Sequence, residues 1–347
     1  MSAGTRTAAL FVACLAITVA APTRARARPL LVVSAEVAGE IVLVDPAKAQ
    51  VIERIKVGPR PRGLKLTRDG RRVLVALAGS AKVAPRPGAG PASRLLASDA
   101  GLAVVDIAAR KLTKHVTTAP TPFAVDLLPD GRTAYLSNSE TNEVVVIDIT
   151  GGSIKKKIAV GTEPLAVATR PDGKVVYAVT RGANELSAID PKTMSLLGRV
   201  DAGMRPQAVL FAPRGNTAFV VGEAIPSVTI IDTKQNISKE NFVLKTPVKG
   251  TPPVLQSAVF SPDGALLYVT TGPGRSVLIV DPAKKAAVGA IDGVGWFPRG
   301  IAISPDGKKL YTANGPSDDV SIIDLASKKV EATVAVPGGP WGIVVVP

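Results

Sequence analysis

The sequence predicts an all-β protein: a seven-bladed β-propeller with four antiparallel strands per blade and a C-terminal strand that closes the first blade. Three observations support this class. An apolar run that ends in Asp recurs seven times, and three of the six gaps between successive copies are 42 residues. A Pro-Asp-Gly type of turn recurs between these runs, and no long helical period of apolar residues follows the N-terminal segment. Four-strand units of about 42 residues are typical of propeller blades.

Residues 1–27 are predicted to be a signal peptide, and residues 28–347 a single propeller domain. Arg6 precedes a 14-residue apolar run, and the small-residue sequence Ala-Arg-Ala follows at 25–27. This order is typical of a secretory signal. The run is shorter than the roughly 20 residues that a membrane-spanning helix needs. We therefore expect a periplasmic or secreted protein with no membrane span, and a retained N-terminal anchor remains the alternative. The only cysteine, Cys14, lies in this segment.

The repeats are marked by aspartates that end an apolar run and by glycine turns that precede the next one. Asp and Gly favour tight turns, because Asp accepts hydrogen bonds from its own backbone and Gly tolerates positive φ. The recurring aspartates are therefore interpreted as turn formers, one at a fixed position in each blade. They are Asp45, Asp106, Asp148, Asp190, Asp232, Asp281 and Asp324.

The two ends of the predicted domain complement each other. The domain begins at the second strand of a unit, near residues 30–36, and ends on a lone first strand, residues 341–346. We expect the last segment to become the innermost strand of the first blade and to close the ring. Burial of about four apolar side chains there contributes roughly 6–12 kcal/mol, which is comparable with the stability of a whole domain.

Four second strands carry variants of one tetrapeptide: YLSN (135–138), YAVT (177–180), YVTT (268–271) and YTAN (311–314). In these features the sequence resembles the YVTN-repeat β-propellers, a family of exported bacterial proteins. The resemblance covers residues 28–347 and implies a binding protein. The segments PWG and TANGPS look most like the branch associated with quinone-dependent alcohol oxidation.

Two interruptions of the repeat are expected to lengthen loops on one face, which we call the top face. It carries the loops between second and third strands and the crossings between blades. The first interruption adds about 19 residues within 78–100, and the second adds about 7 around 238–253. Long loops on a rigid scaffold often carry binding sites.

A ring of side chains at the channel mouth is the predicted ligand site. A proline follows most crossings between blades and opens the next innermost strand. The residue after this proline is expected to point to the channel mouth, and its amino-acid type varies more from blade to blade than regular packing requires. Arginine and aromatic side chains suit an anionic, partly flat ligand; the alternative is that the same residues plug the channel. The predicted ligand-binding residues are Arg62, Phe123, Gln207, Gln256, Arg299 and Trp341, with Leu165 in the same register and Arg60, Arg205 and Trp296 nearby.

The chain has a formal net charge of +14 at pH 7, which falls to +11 without the three arginines of residues 1–27. A basic surplus invites a nucleic-acid interpretation. Much of this positive charge falls, however, on outer strands and on turns of the face opposite the top face. Lysines on outer strands also protect sheet edges from pairing with other chains. Single-stranded nucleic-acid binding is therefore kept only as a second alternative.

Catalytic groups are poorly supported by the sequence. The single histidine, His115, lies in a predicted outer strand among basic residues. No His, Cys or carboxylate cluster has metal-ligand spacing, so we expect no catalytic or metal-binding residues and no cofactor. The sequence therefore favours a non-enzymatic, monomeric binding or scaffold protein whose top face binds a small anionic ligand or a periplasmic protein. An accessory protein or enzyme of quinone-dependent alcohol oxidation is the first alternative.

Overall fold

The computed structural model describes residue 1 and residues 29–80, 99–213, 215–245 and 253–347. Within these ranges, 28 strands form seven four-stranded antiparallel sheets, which confirms the predicted seven-bladed propeller. The strands of each blade are given from the innermost outward. Blade one consists of Pro340–Val346 (β28), Leu30–Ala35 (β1), Glu40–Asp45 (β2) and Gln50–Lys56 (β3), and blade two of Pro61–Leu66 (β4), Arg72–Leu77 (β5), Gly101–Asp106 (β6) and Lys111–Thr117 (β7). Blade three consists of Pro122–Leu127 (β8), Thr133–Asn138 (β9), Glu143–Asp148 (β10) and Ser153–Ala159 (β11), and blade four of Pro164–Thr169 (β12), Val176–Thr180 (β13), Glu185–Asp190 (β14) and Ser195–Asp201 (β15). Blade five is Pro206–Phe211 (β16), Thr217–Gly222 (β17), Ser227–Asp232 (β18), Ile237–Val243 (β19); blade six is Leu255–Phe260 (β20), Leu267–Thr271 (β21), Ser276–Asp281 (β22), Ala286–Asp292 (β23); blade seven is Pro298–Ile303 (β24), Lys309–Asn314 (β25), Asp319–Asp324 (β26), Lys329–Ala335 (β27).

The ring closes through the C-terminal strand, as the sequence predicts. β28 pairs with β1 in an antiparallel register in which Leu30 lies opposite Val346 and Val33 opposite Ile343. Each innermost strand contacts the innermost strands of both neighbouring blades, and β28 lies between β24 and β4. The last strand of the chain therefore completes the sheet that the first strand began.

The hydrophobic core is divided among the seven blade-to-blade interfaces. Each buried cluster joins side chains from two adjacent sheets, because both faces of the middle strands are apolar. The aromatic residue of the second strand recurs in these clusters; Tyr135, Tyr177 and Tyr311 are among the largest fully buried side chains. The recurring aspartates accept backbone hydrogen bonds from their own turns, as Asp45 does from Ala47 at 2.9 Å, which confirms their role as turn formers.

Small residues on the innermost strands allow neighbouring blades to approach closely at the axis. A Cβ atom added to Gly300 would lie 2.5 Å from the carbonyl oxygen of Trp341 in the next blade, a distance that no side chain tolerates. Crowding of this kind leaves a channel along the axis whose wall consists of backbone and of a few inward-facing side chains.

Some predicted features fall on parts of the chain that the structure does not describe. All but Met1 of the predicted signal peptide, and residues 81–98 of the first interruption, lie outside the described residues. The base of the first interruption is described: the Ser80 hydroxyl donates a hydrogen bond to Asp99 at 2.7 Å. In the second interruption, residues 238–243 belong to β19, so the extra chain falls between Val243 and Leu255 rather than within 238–243. No helix among the described residues is long and apolar enough to cross a membrane.

Candidate functional site

The crossings between blades bring side chains of the top face to the mouth of the axial channel. The residue before the crossing proline has a left-handed backbone in several blades, as at Arg60 (φ 53°), Glu163 (φ 55°) and Arg205 (φ 50°). This conformation is unfavourable for a non-glycine residue, and it is stabilised here by a hydrogen bond. The carbonyl oxygen of Arg205 accepts from the amide N–H of Glu223 at 2.9 Å, and that of Glu163 from Arg181 at 3.1 Å. In these two blades the bond holds the residue after the second strand, Arg181 or Glu223, beside the crossing.

An axial cavity of about 750 Å³ opens at this mouth. Its volume lies within the usual range for small-molecule sites. Its wall includes residues from the second position of several innermost strands, as the sequence predicts, and also residues that follow second strands. The lining side chains at the upper end include Phe123, Gln207, Gln256, Arg299, Trp341, Arg181, Glu223 and Phe297.

Aromatic and guanidinium groups stack along one side of the mouth. The Arg299 guanidinium carbon lies 3.9 Å from the centre of the Trp341 ring and 4.9 Å from that of Phe297. Arg62 lies 4.8 Å from the Trp341 ring centre and 5.2 Å from that of Phe123. Cation–π stacking of this kind holds the planar groups in fixed orientations.

The two stacked arginines differ in their partners. The Arg62 Nε donates a hydrogen bond to Glu36 at 2.8 Å, and Arg60 also lies within 3.4 Å of this carboxylate. For Arg299, the described residues provide ring contacts but no hydrogen bond or ion pair. Burial lowers the pKa of Arg299 below its ordinary value. The negative charge of Glu36 opposes this lowering, and the positive charge of Arg62 adds to it. Arg299 is therefore a partly buried cation that can receive an anionic or strongly polar oxygen.

A carboxylate lines the same cavity in blade five. Glu223 Oε2 accepts hydrogen bonds from Arg205 at 3.2 Å and from the Gln207 amide at 2.5 Å. The Arg181 guanidinium lies 3.8 Å away. These contacts all involve Oε2, and the described residues provide no hydrogen bond to Oε1. Glu223 is thus held in a fixed orientation, with one oxygen available to a water or a ligand.

The predicted site residues do not all reach the cavity. Arg60 and Arg205 bind the carboxylates of Glu36 and Glu223 beside the mouth. Trp296 is 56% exposed, and its backbone N–H donates to Ser317. Leu165 is 4% exposed and is not part of the cavity wall.

Sequence reasoning did not include Glu36, Arg181, Glu223 or Phe297 in the site. The sequence contains a signal for Glu36, Arg181 and Glu223, because each directly follows the second strand of its blade. Arg181 and Glu223 are separated by 42 residues, the spacing of the repeat. Following this register around the ring would have found a second set of residues at the mouth.

No metal centre is apparent in the part of the chain that the structure describes. It contains no group of three or more His, Cys, Asp or Glu side chains placed to hold a metal ion. The single histidine, His115, lies exposed on the outer strand β7, as predicted.

One family model matches part of the chain. Residues 197–345 match the family model of the lactonases with a seven-bladed β-propeller. This match covers less than half of the chain, from the end of blade four to the closing strand. No curated protein matches the chain.

Several solved structures share the fold. Hydrazine synthase of Kuenenia stuttgartiensis is 22% identical with a TM-score of 0.72, over 86% of this chain and 92% of that chain. A functionally unknown protein from Desulfotomaculum acetoxidans DSM 771 is 17% identical with a TM-score of 0.73, over 91% and 98%. The periplasmic gluconolactonase PpgL of Pseudomonas aeruginosa is 19% identical with a TM-score of 0.71, over 92% and 99%. At these identities the likeness establishes the fold alone.

The family match corrects the function expected from the sequence. A non-enzymatic binding or scaffold protein is the wrong class, because the matched family is one of enzymes. The error has a physical origin. The sequence lacks catalytic triads and metal-ligand spacings, whereas the charged and aromatic residues at the mouth come singly from different blades. The comparisons give no support to the YVTN-repeat family or to its quinone-associated branch.

Proposed function

We propose that the protein hydrolyses a lactone at the mouth of its axial channel. The observation that carries this proposal is the pairing of two groups in one cavity: the oriented carboxylate of Glu223 and the partly buried guanidinium of Arg299. The lactonase family match and the fold shared with a periplasmic gluconolactonase support the choice of reaction.

Ester hydrolysis needs a base for the attacking water and a positive group for the oxygen that becomes negative. Glu223 Oε1 accepts a proton from water while the water oxygen attacks the lactone carbonyl carbon. Arg299 donates N–H groups to the carbonyl oxygen as negative charge develops there. The bond between the carbonyl carbon and the ring oxygen then breaks, and the ring oxygen takes the proton that Glu223 accepted. One water is consumed, and the product is an open-chain hydroxy acid.

The contacts around these two groups suit their roles. Arg205 and Gln207 hold Glu223 through Oε2, so that Oε1 keeps a defined direction. The stacking of Arg299 on Trp341 and Phe297 fixes its guanidinium plane without occupying its N–H groups. Preorganised donors of this kind stabilise a transition state because they need no reorientation during the reaction.

The proposal is tested with purified protein and a panel of five- and six-membered lactones, including glucono-δ-lactone. The acid released is followed by titration at constant pH. We expect hydrolysis above the spontaneous rate for at least one member of the panel. Arg299→Met should lower kcat by about 10²–10³-fold, as does loss of an oxyanion donor in other enzymes. The matched control is Arg71→Met on a turn of the opposite face, which should leave the rate unchanged. Absence of hydrolysis for every lactone, or equal rates for both variants, would contradict the proposal.

We also propose that the protein acts outside the cytoplasm as a monomer. The signal-like layout of residues 1–27 supports export, and the gluconolactonase of the same fold is described as periplasmic. Mass spectrometry of the protein from cell envelope fractions would test this location. A mature N-terminus near residue 28 is expected, whereas an intact Met1 would contradict cleavage.

A further inference from the structure

We propose that the outer edges of blades two and three form a cationic surface that docks the protein onto an anionic lipid bilayer. This surface, here called the cationic sector, consists of the outer strands β7 and β11. It lies away from the channel mouth, so the proposal does not depend on the proposed lactone hydrolysis.

The charge of the cationic sector distinguishes it from the rest of the ring. β7 carries two lysines and no acidic residue, and β11 carries three consecutive lysines and no acidic residue. Each of the other five outer strands contains at least one Asp or Glu. These acids are Glu53, Asp201, Glu240, Asp292 and Glu331. Positive charge without internal compensation is therefore concentrated on two neighbouring blades.

The lysines of β11 are exposed to solvent, and Lys155 alone lies close enough to a described carboxylate, that of Asp130, to interact with its charge. Lys155, Lys156 and Lys157 are all exposed. Lys155 donates to the Thr133 hydroxyl at 3.2 Å. For Lys156 and Lys157, the described part of the chain provides no side-chain hydrogen bond or ion pair. Their charges are thus available to an external anionic surface.

Lys114 joins the two blades into one continuous surface. Its ammonium group reaches from β7 to the turn that precedes β11, where it donates to the carbonyl oxygen of Ile149 at 3.2 Å and also to that of Thr150. Lys111 and His115 are exposed on the same strand. The cationic sector therefore extends across the gap between two blades.

Exposed aliphatic residues accompany these lysines. Leu112 and Ile154 occupy the second positions of β7 and β11 and are 38% and 37% exposed. Lysines mixed with aliphatic side chains suit the boundary between lipid headgroups and acyl chains. Surfaces that bind single-stranded nucleic acid usually present aromatic side chains for base stacking, and neither strand contains Phe, Tyr or Trp. The composition therefore favours lipid over nucleic acid.

The position of the cationic sector is compatible with catalysis at the mouth. Outer strands lie at the rim of the propeller, whereas the cavity opens on the axis between innermost strands. A bilayer that contacts the rim leaves the mouth open to a dissolved substrate.

The test uses the full chain and sedimentation with lipid vesicles. One set contains phosphatidylcholine alone, and the other also contains about 30% phosphatidylglycerol. We expect binding only to the anionic vesicles and weakening by salt, since exposed charges are screened. Each lysine near an anionic surface contributes about fivefold in affinity. Replacement of Lys155, Lys156 and Lys157 by Gln should therefore weaken binding by about 100-fold.

A control triple variant changes the same number of charges elsewhere. Replacement by Gln of Lys284, Lys308 and Lys328, which lie on turns of blades six and seven, should change vesicle binding by no more than a few-fold. Equal losses for the two triple variants would overturn the proposal, because binding would then follow net charge alone. Failure to bind anionic vesicles would also overturn it. Unchanged melting temperatures of both variants exclude unfolding as the cause.

A third variant separates lipid from nucleic acid. Leu112→Ser combined with Ile154→Ser should weaken binding to anionic vesicles and leave the binding of single-stranded DNA unchanged. If the protein binds single-stranded DNA more tightly than the vesicles, and the double variant binds vesicles as well as the wild type does, the partner is nucleic acid and the proposal is wrong.

Discussion

Two tyrosines at equivalent positions of neighbouring blades differ in their hydroxyl partners. The Tyr177 hydroxyl donates to Asn236 Oδ1 at 2.6 Å, and Asn236 occupies a turn of blade five with φ 55°. One blade earlier, the Tyr135 hydroxyl is buried and has no hydrogen-bond partner among the described residues. The turn residue equivalent to Asn236 is Met194, with φ 53°, which packs in the same cluster as Tyr135. Blade three therefore lacks a bond that blade four has.

Met194→Asn should supply this bond. A buried hydroxyl without a partner costs about 1–3 kcal/mol, and Asn adopts the left-handed conformation more readily than Met, for which the cost is about 1–2 kcal/mol. The loss of part of the Met194 contact with the cluster opposes these gains by about 1 kcal/mol. We expect a net stabilisation of about 1–2 kcal/mol, which corresponds to a rise in Tm of a few degrees, roughly 2–4 °C per kcal/mol.

Urea unfolding and thermal scans of four single variants would measure this effect. Met194→Asn should raise the free energy of unfolding, and the reciprocal change Asn236→Met should lower it. Tyr135→Phe should raise the free energy of unfolding by up to about 1–3 kcal/mol, because it removes a buried hydroxyl that has no partner among the described residues, whereas Tyr177→Phe should cost about 1 kcal/mol. If Tyr135→Phe costs as much as Tyr177→Phe, or if Met194→Asn destabilises the protein, the reasoning is refuted.

Two further predictions concern the closure of the ring and the buried tyrosines. Deletion of residues 340–347 should prevent stable folding, because β28 is the innermost strand of blade one and each buried aliphatic side chain contributes about 1.5–3 kcal/mol; an unchanged melting curve would contradict this. Burial raises the pKa of Tyr135, Tyr177 and Tyr311 to about 12. Since an unfolded tyrosine ionises near pH 10, their contribution to stability should be complete below about pH 10 and fall as pH rises towards 12. Unfolding midpoints that stay constant from pH 9 to about 12 would argue against this.

The fold was predictable from the sequence because its determinants are local and repeated. Turn aspartates such as Asp45 specify each hairpin, and the period of about 42 residues sets the size of a blade. The strand near residue 30 pairs with β2 but has no local partner for its inner edge, and the strand near residue 346 has no partner in its own part of the chain, so the closure also followed from the sequence.

The candidate site was predictable only in part, because it depends on contacts between blades. The register placed Arg299 and Trp341 at the mouth. It did not reveal that Arg62 is engaged by Glu36 while Arg299 lacks a carboxylate partner among the described residues. The orientation of Glu223 depends on Arg205, both through its side chain and through its left-handed backbone. Such contacts leave no local pattern in the sequence, and for the same reason the class of function was missed.

The most direct test of the account is the value of kcat/KM for lactone hydrolysis by Glu223→Gln relative to Glu240→Gln. Both substitutions remove one carboxylate charge from blade five, but Glu240 lies on the outer strand β19, far from the mouth. The account predicts a loss of about 10²–10⁴-fold for Glu223→Gln, the usual contribution of a general base, and wild-type values for Glu240→Gln. Equal activity of the two variants on a lactone that the wild type hydrolyses would show that the mouth is not where the reaction takes place.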